Sequence, residues 1–288
     1  KYVFVCSLGI AVAYLGILLL STVTAGGELS YANLVRTVAS GNPLYLKIAF
    51  LFILVGYSCK MEIFPLYTID VDANFAAPAP ASAVISTVLV NAGFVAFFRV
   101  YEVAVVSPVY EWFKHVLILA GLISLLIAAV YLRRTNHYKR FWAYSTVECM
   151  GVAVVALGVG GAAIFAAVLQ VITHALIKSG VFVLMGQVGK IYGSYRMNRI
   201  GGYIRVHRTG AIALLLGGVS LLAFPPSALF ISEMIILRQI VQMGQWWLLV
   251  VLALLLCFVM YSLCSRVLQL CFKPVGTPLQ APHLHRSV

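Results

Sequence analysis

The chain has 288 residues, 62% of them hydrophobic and only 10% charged, with 20 Lys and Arg against 8 Asp and Glu. A mean hydropathy of +1.02 leaves too little polar surface to cover a soluble globule. The formal charge of +12 does not point to nucleic acid, because the basic residues gather in short links between apolar runs and form no patch with interleaved aromatics.

Apolar runs of about 20 residues, the length a helix needs to cross a bilayer core, recur along the chain. In chain order, hydropathy predicts about eight spans: 2–22, 44–64, 80–103, 115–132, 141–159, 162–187, 209–240 and 246–270. The class is an all-α polytopic membrane protein. The opening run "KYVFVCSLGIAVAYLGILLL" has the length of a full span and lacks the short core and cleavage site of a signal peptide. With no initiator Met, the chain is expected to start inside a longer protein. The linker 23–43 carries Gly, Ser and Asn, and 104–113 contains Pro108. The basic links "RRTNHYKR" (133–140) and "KIYGSYRMNRIGGYIRVHR" (190–208) follow the fourth and sixth spans, and a tail with Lys273 and Arg286 follows the eighth. All three therefore lie on one face, expected to be cytoplasmic, which places the amino end there too.

Two spans are interrupted. Residues 209–240 are too long for one straight crossing, and "FPPSA" (224–228) puts Pro225 and Pro226 in the middle. In the second span Lys60 precedes Pro65 and a polar, Pro-rich loop. A helix broken at membrane depth survives only where protein or water satisfies the freed backbone groups. Paired breaks in two halves of a chain are the sequence pointer to a transporter of inverted repeats.

Ionisable side chains inside spans cost at least about 2.5 kcal/mol each to insert and are functional candidates by default. Here they are Lys60, Glu148, His174, Lys178 and Glu233. His174 and Lys178 stand four residues apart in "HALIKSG" and share a helix face near mid-span. Burial lowers a Lys toward neutrality, and His titrates there already, so the pair suits proton exchange. The alternative is a structural pair bonding to neighbouring helices. Glu233 follows the Pro–Pro break by seven residues and is either a proton site or a protonated structural group. Lys60 is balanced between a functional role and snorkelling to the interface, whereas Lys47 and Arg99, near span ends, read as snorkelling. Glu148 is placed to pair with a basic residue of the 133–140 loop. The six cysteines form no CxxC pair and read as small buried hydrophobes; no metal, iron–sulfur or haem ligation is expected in this chain.

Four stretches then bear a resemblance. "KMEIFPLYTIDVDANFAAPAPASAVIS" (60–86) resembles the pattern K-x-x-x-F-P-L-H-T-W-L-P-D-A-H-x-x-A-P-x-P-V-S-A of the antiporter-like subunits of respiratory complex I and related hydrogenases. "HYKRFWAYSTVECMG" (137–151), "THALIKSGVFVLMG" (173–186) and "FPPSALFISEMIIL" (224–237) are similar to D-I-K-R-L-L-A-Y-S-S-I-E-H-M-G, H-A-x-x-K-x-x-L-F-L-x-x-G and P-P-F-x-x-F-x-S-E-F-x-I-L, in the family's order. Glu148 and the Ser232–Glu233 pair look most like hydrogenase-4 component F and the formate hydrogenlyase membrane subunits. The sequence departs from the pattern at "IDV" (69–71) for W-L-P, at Tyr67 and Asn74 for His, at His137 for Asp and at Cys149 for His.

The resemblance implies an antiporter-like inverted-repeat fold, with part of a first repeat at 1–103, a second at 114–272 and a cytoplasmic tail at 273–288. About five family spans are missing at the start, including the helix whose Glu partners the Lys at position 60; the chain is a fragment or a degenerate copy. The resemblance also implies a proton relay of Lys60, His174, Lys178, Glu148 and Glu233. Asn91 stands where some relatives carry Lys and requires water in that step. The implied function is a proton-translocating, non-redox subunit of a hydrogenase or complex I-like assembly in a bacterial or archaeal plasma membrane. No catalysis is expected from this chain alone. Its expected partners are other membrane subunits and a peripheral redox arm holding the NiFe or iron–sulfur centres. A subunit of an Mrp-type cation/proton antiporter and a structural scaffold are the alternatives.

Overall fold

The computed structural model describes residues 2–24 and 30–273. They form helices α1 (Tyr2–Ser21), α2 (Tyr31–Thr37), α3 (Pro43–Met61), α4 (Thr68–Ala76), α5 (Ala79–Val84), α6 (Val90–Val105), α7 (Tyr110–Arg134), α8 (Tyr138–Val159), α9 (Ala162–Tyr192), α10 (Tyr203–Val206), α11 (Arg208–Leu221), α12 (Ala228–Gln242) and α13 (Trp246–Phe272). Seven helical segments among these residues are long and apolar enough to cross a membrane, one of them running from Ala79 to Val105 through α5 and α6. The chain is thus a multi-pass membrane protein. The expected eighth crossing, 209–240, is divided: α11 has 14 residues and α12 has 15, each about 22 Å long and short of a bilayer core by itself.

Several spans run longer than hydropathy alone suggests, while α3 stops short at Met61. Helix α7 begins at Tyr110 and α9 continues to Tyr192, because their polar ends stay helical beyond the apolar core. Helices also occupy parts of the linkers. Ser30 caps α2 by accepting from the Asn33 amide, and the stretch after Pro65, expected as a loop, folds into α4. There Asp70, Val71 and Asn74 share one buried face, a helical spacing that the polar composition hid. Most of the expected 273–288 tail, Arg286 included, lies outside the described residues.

Lipid is as apolar as Leu, so these helices associate by close packing rather than by a hydrophobic gradient. Helix α7 lies along α8 at glycines: a Cβ on Gly121 would fall 2.7 Å from the Gly151 carbonyl oxygen. Helix α1 approaches α3 in the same way, where a Cβ on Gly56 would fall 2.4 Å from the Ala13 amide. Helix α8 is the hub, with every residue from Phe141 to Val159 buried.

The two basic loops meet at one end of the molecule. The Tyr138 amide donates to the Tyr195 carbonyl at 2.9 Å, and the Met197 amide to that of Asn136 at 2.9 Å. Arg266, near the end of α13, donates to the Arg133 carbonyl at 2.8 Å. The common face expected from the Lys/Arg pattern therefore exists as a physical junction. Between these loops opens a cavity of about 690 Å³, whose lining includes none of the expected site residues. Burial and the cations of Lys139, Arg140 and Arg196 push His137, beside this cavity, down to about 4.

Candidate functional site

The expected ionisable groups converge on α8 and on the two breaks. The first break separates α3 from α4. Glu62 ends α3 in the left-handed region at φ 54, and its amide closes on the Ser58 carbonyl. Pro65 removes a backbone donor just beyond. The freed groups find local partners: the Phe64 amide donates to Ser124 Oγ of α7 at 2.9 Å, and the Leu66 amide to Ser58 Oγ at 3.4 Å. The second break lies between Leu221 and Ala228. Ala223 adopts φ 50, Pro225 and Pro226 follow, and Ser227 caps α12 by accepting from the Phe230 amide at 3.2 Å.

Lys178 is fully buried. Its ammonium donates to the Trp142 carbonyl and to Ser145 Oγ of α8, and it lies 5.6 Å from the Trp142 ring centre and 5.7 Å from that of Phe182. His174 is equally buried, and neither ring nitrogen has a hydrogen-bond partner among the described residues. Gln170, one turn earlier, completes a polar line at i, i+4, i+8 on the inner face of α9 and accepts from Ser232 Oγ of α12. Sequence reasoning missed Gln170, although the spacing Gln170–His174–Lys178 was available.

Glu148 is buried in α8 and accepts from the adjacent Cys149 thiol at 3.2 Å. It does not pair with the 133–140 loop. Eight residues of helix separate it from Arg140, about 12 Å of rise. The loop cations are engaged elsewhere: Arg140 with Asp72 at 2.9 Å, and Lys139 with the Phe75 carbonyl at 3.2 Å and that of Ala77. The charges within range of Glu148 are instead Lys178 and, from α12, Glu233. Glu233 is half-buried, next to the Ser232 hydroxyl that reaches Gln170.

Lys60 is half-buried at the end of α3 and points inward to α1. Its ammonium lies 3.4 Å from Tyr2 Oη, 3.3 Å from Cys6 Sγ and 5.1 Å from the Tyr2 ring centre. Asp70, 2% exposed on α4, supplies the nearby negative charge. Glu62, fully buried, lies between, within range of Asp70 on one side and Lys178 on the other. Neither acid was singled out from the sequence, though both stand in the "MEIFPLYTIDV" segment beside Lys60. Asn91 is the second residue of α6, after a π-turn at Ile85–Leu89, and its side-chain Oδ1 is buried without a partner among the described residues. Within those residues, no hydrogen bond or ion pair joins Asn91 to the other groups. The nearest link is Gly93, whose Cβ would fall 2.8 Å from that of Lys60. Four cysteines are buried as expected, Cys6, Cys59, Cys149 and Cys271, while Cys257 is exposed on α13.

The arrangement is thus a line of titratable groups running through the protein interior from the first break to the second. Residues 1–259 match the model of the NADH:quinone oxidoreductase/Mrp antiporter transmembrane family. The chain belongs to that family. It is 32% identical over 246 residues to a hydrogenase-4 component F homologue of Methylacidiphilum infernorum, covering 83% of this chain and 52% of the relative. It is 29% identical over 215 residues to an NAD(P)H-quinone oxidoreductase chain 4 of a Synechococcus species, covering 72% and 40%. The chain therefore spans about half the length of these curated relatives or less. Its fold matches a chain of the archaeal membrane-bound sulfane sulfur reductase at a TM-score of 0.87 and 22% identity, covering 99% of this chain and 58% of the other. It matches a chain of the Mrp complex from Dietzia sp. at 0.85 and 19%, covering 96% and 51%. An antiporter-like membrane subunit related to hydrogenase-4 and complex I chains is what sequence and fold together identify.

Proposed function

We propose that this chain conducts protons as a non-redox membrane subunit of a hydrogenase or complex I-like assembly. The observation that carries the reading is Lys178, an ammonium sealed in the helix bundle, within range of Glu148 and Glu62 and beside His174, which has no hydrogen-bond partner among the described residues. Packing alone does not require such a group, because its burial is costly unless its charge is used. Protons pass along Lys60, Lys178, Glu148 and Glu233, with His174 at the α9 turn and Asn91 positioning water. Residues 1–103 supply part of one repeat and 114–272 a second. Redox chemistry, with NiFe or iron–sulfur centres, belongs to a peripheral arm in partner subunits. The likeness to the hydrogenase-4 component F homologue supports that assembly.

The Mrp-like fold supports a second reading, a subunit of a cation/proton antiporter. Isolation of the full-length protein from native membranes separates the two: a hydrogenase-like arm should copurify, and its turnover should drive proton uptake that Lys178→Met lowers by about 10²-fold. Unimpaired uptake in that variant, with the subunit present at wild-type amounts, contradicts the relay. The membrane is read as a bacterial or archaeal plasma membrane with the basic face inward. A cysteine introduced at Ser194 should react with impermeant reagents from the cytoplasmic side alone, and labelling from outside would invert the topology.

A further inference from the structure

The geometry points to Glu62 and Asp70, on either side of the first break, as a buried acid pair that shares a proton and hands protons between Lys60 and Lys178. The pattern that this segment resembles leaves position 62 open and has Leu at position 70, so neither role follows from the resemblance.

Glu62 is fully buried, yet only one carboxylate oxygen has a donor, Asn74 Nδ2 at 3.1 Å; the other has no partner among the described residues. Asp70 is 2% exposed, and its Oδ1 is likewise unpartnered there. A carboxylate held permanently ionised at such depth would be surrounded by donors. Two acids within range of one another in a dry interior do not both ionise readily, and a single shared proton resolves the conflict. The backbone is consistent with a selected geometry. Glu62 sits in the left-handed region that Gly would occupy without strain, and it is held there by the Ser58 carbonyl and the packed Ile63.

The groups facing the pair complete the relay. Lys60 of α3 lies on the Asp70 side, where Tyr2 and Cys6 of α1 hold its ammonium. Lys178 of α9 lies on the Glu62 side. When Lys178 is a neutral amine, it takes the proton of the Glu62 carboxyl and becomes an ammonium. Asp70, ionised while the shared proton sat on Glu62, then takes a proton from the Lys60 ammonium, which is left neutral, and passes it to the Glu62 carboxylate. The net change is one proton moved from Lys60 to Lys178, and the same steps run in reverse. Asn74 braces Glu62, and Ser82 Oγ in turn donates to the Asn74 carbonyl at 3.0 Å, so both halves of the broken helix are tied to the pair.

This inference rests on the proton-conducting reading above, and the test separates the two. Proton uptake is measured for the full-length protein in its assembly, with Glu62→Gln, Asp70→Asn, Glu62→Asp and Lys178→Met compared at equal subunit content. Infrared spectra of each record the carbonyl stretch of buried protonated carboxyls. Glu62→Gln and Asp70→Asn should each cut uptake at least about tenfold. Glu62→Asp, which keeps the titrating group, should recover part of it. The infrared band should weaken in Glu62→Gln and persist in Glu62→Asp, a response that a merely structural Glu62 would not give. Wild-type uptake in Glu62→Gln and Asp70→Asn, with Lys178→Met inactive, overturns the acid pair and spares the wider reading. Wild-type uptake in Lys178→Met as well overturns both.

Discussion

The two helix breaks use the same residue type and end in opposite surroundings. At the first, Glu62 and Ile63 are fully buried before the chain surfaces at Phe64, and the freed backbone is tied to Ser58 and to Ser124 of a neighbouring helix. At the second, Leu222 and Ala223 are buried, Phe224, Pro225 and Pro226 are exposed, and the ties are local: the Phe224 amide donates to the Val219 carbonyl, the Ser227 amide to that of Phe224, and Ser227 caps α12. Proline removes a donor in both cases. What differs is whether polar side chains from elsewhere in the bundle close over the gap. The first break is therefore the one closed over by side chains from other helices. The second is a looser joint whose carboxylate, Glu233, stays half-open.

The largest effect that sharpens this contrast is at the second break. Glu233→Gln keeps shape and hydrogen bonding but cannot titrate, so the variant should assemble normally and lose proton translocation by about 10²-fold. Reconstituted assembly with wild-type pumping would remove Glu233 from the relay and leave the second break as a hinge alone.

Next come the ties themselves. Ser124→Ala leaves the Phe64 amide without its partner in a part-buried setting, and the expected cost is about 1–3 kcal/mol of stability. Ser227→Ala removes a cap that satisfies one amide at the exposed joint and should cost about 1 kcal/mol. Thermal or denaturant unfolding of the detergent-solubilised protein gives the order. A larger loss at Ser227 than at Ser124 would reverse the comparison.

The smallest effect concerns the junction of the basic loops, away from both breaks. His137 is held down to about 4 against an ordinary 6.5. The unfolded loop then binds more protons than the folded one between those values, so stability is full above about pH 6.5 and declines as pH falls toward 4. Hydrogen exchange at the Tyr138 and Met197 amides, which close the junction, should accelerate in that window relative to a His137→Asn variant. Equal behaviour of the two proteins would show that the imidazole does not bear on the junction.

Much of this architecture was legible in the residues, for physical reasons. Bilayer thickness dictates span length, and proline dictates where a span breaks, so the helices and both interruptions could be placed from the residues alone. Lys178 and His174 could be placed on one face because helical spacing is regular. The acid pair could not. Asp70 lies in a segment whose polarity reads as a loop, and only the folding of 68–76 into a helix turns it inward, whereas Glu62 fell inside the predicted span 44–64 and was passed over beside Lys60. The partner of Glu148 was misjudged for a related reason. Proximity in sequence favoured the 133–140 loop, whereas the rise of α8 carries Glu148 away from it and toward the Lys178 of a different helix.

Lys178→Arg tests most directly whether Lys178 carries protons or simply holds α8 and α9 together. Guanidinium keeps the positive charge and can donate to the Trp142 carbonyl and Ser145, but it holds its proton far above neutral pH. Proton uptake by the reconstituted assembly should fall by about 10²-fold in this variant while the subunit remains inserted and fully assembled. An arginine variant that pumps at the wild-type rate would contradict the account, because it would show that charge at this position suffices without titration.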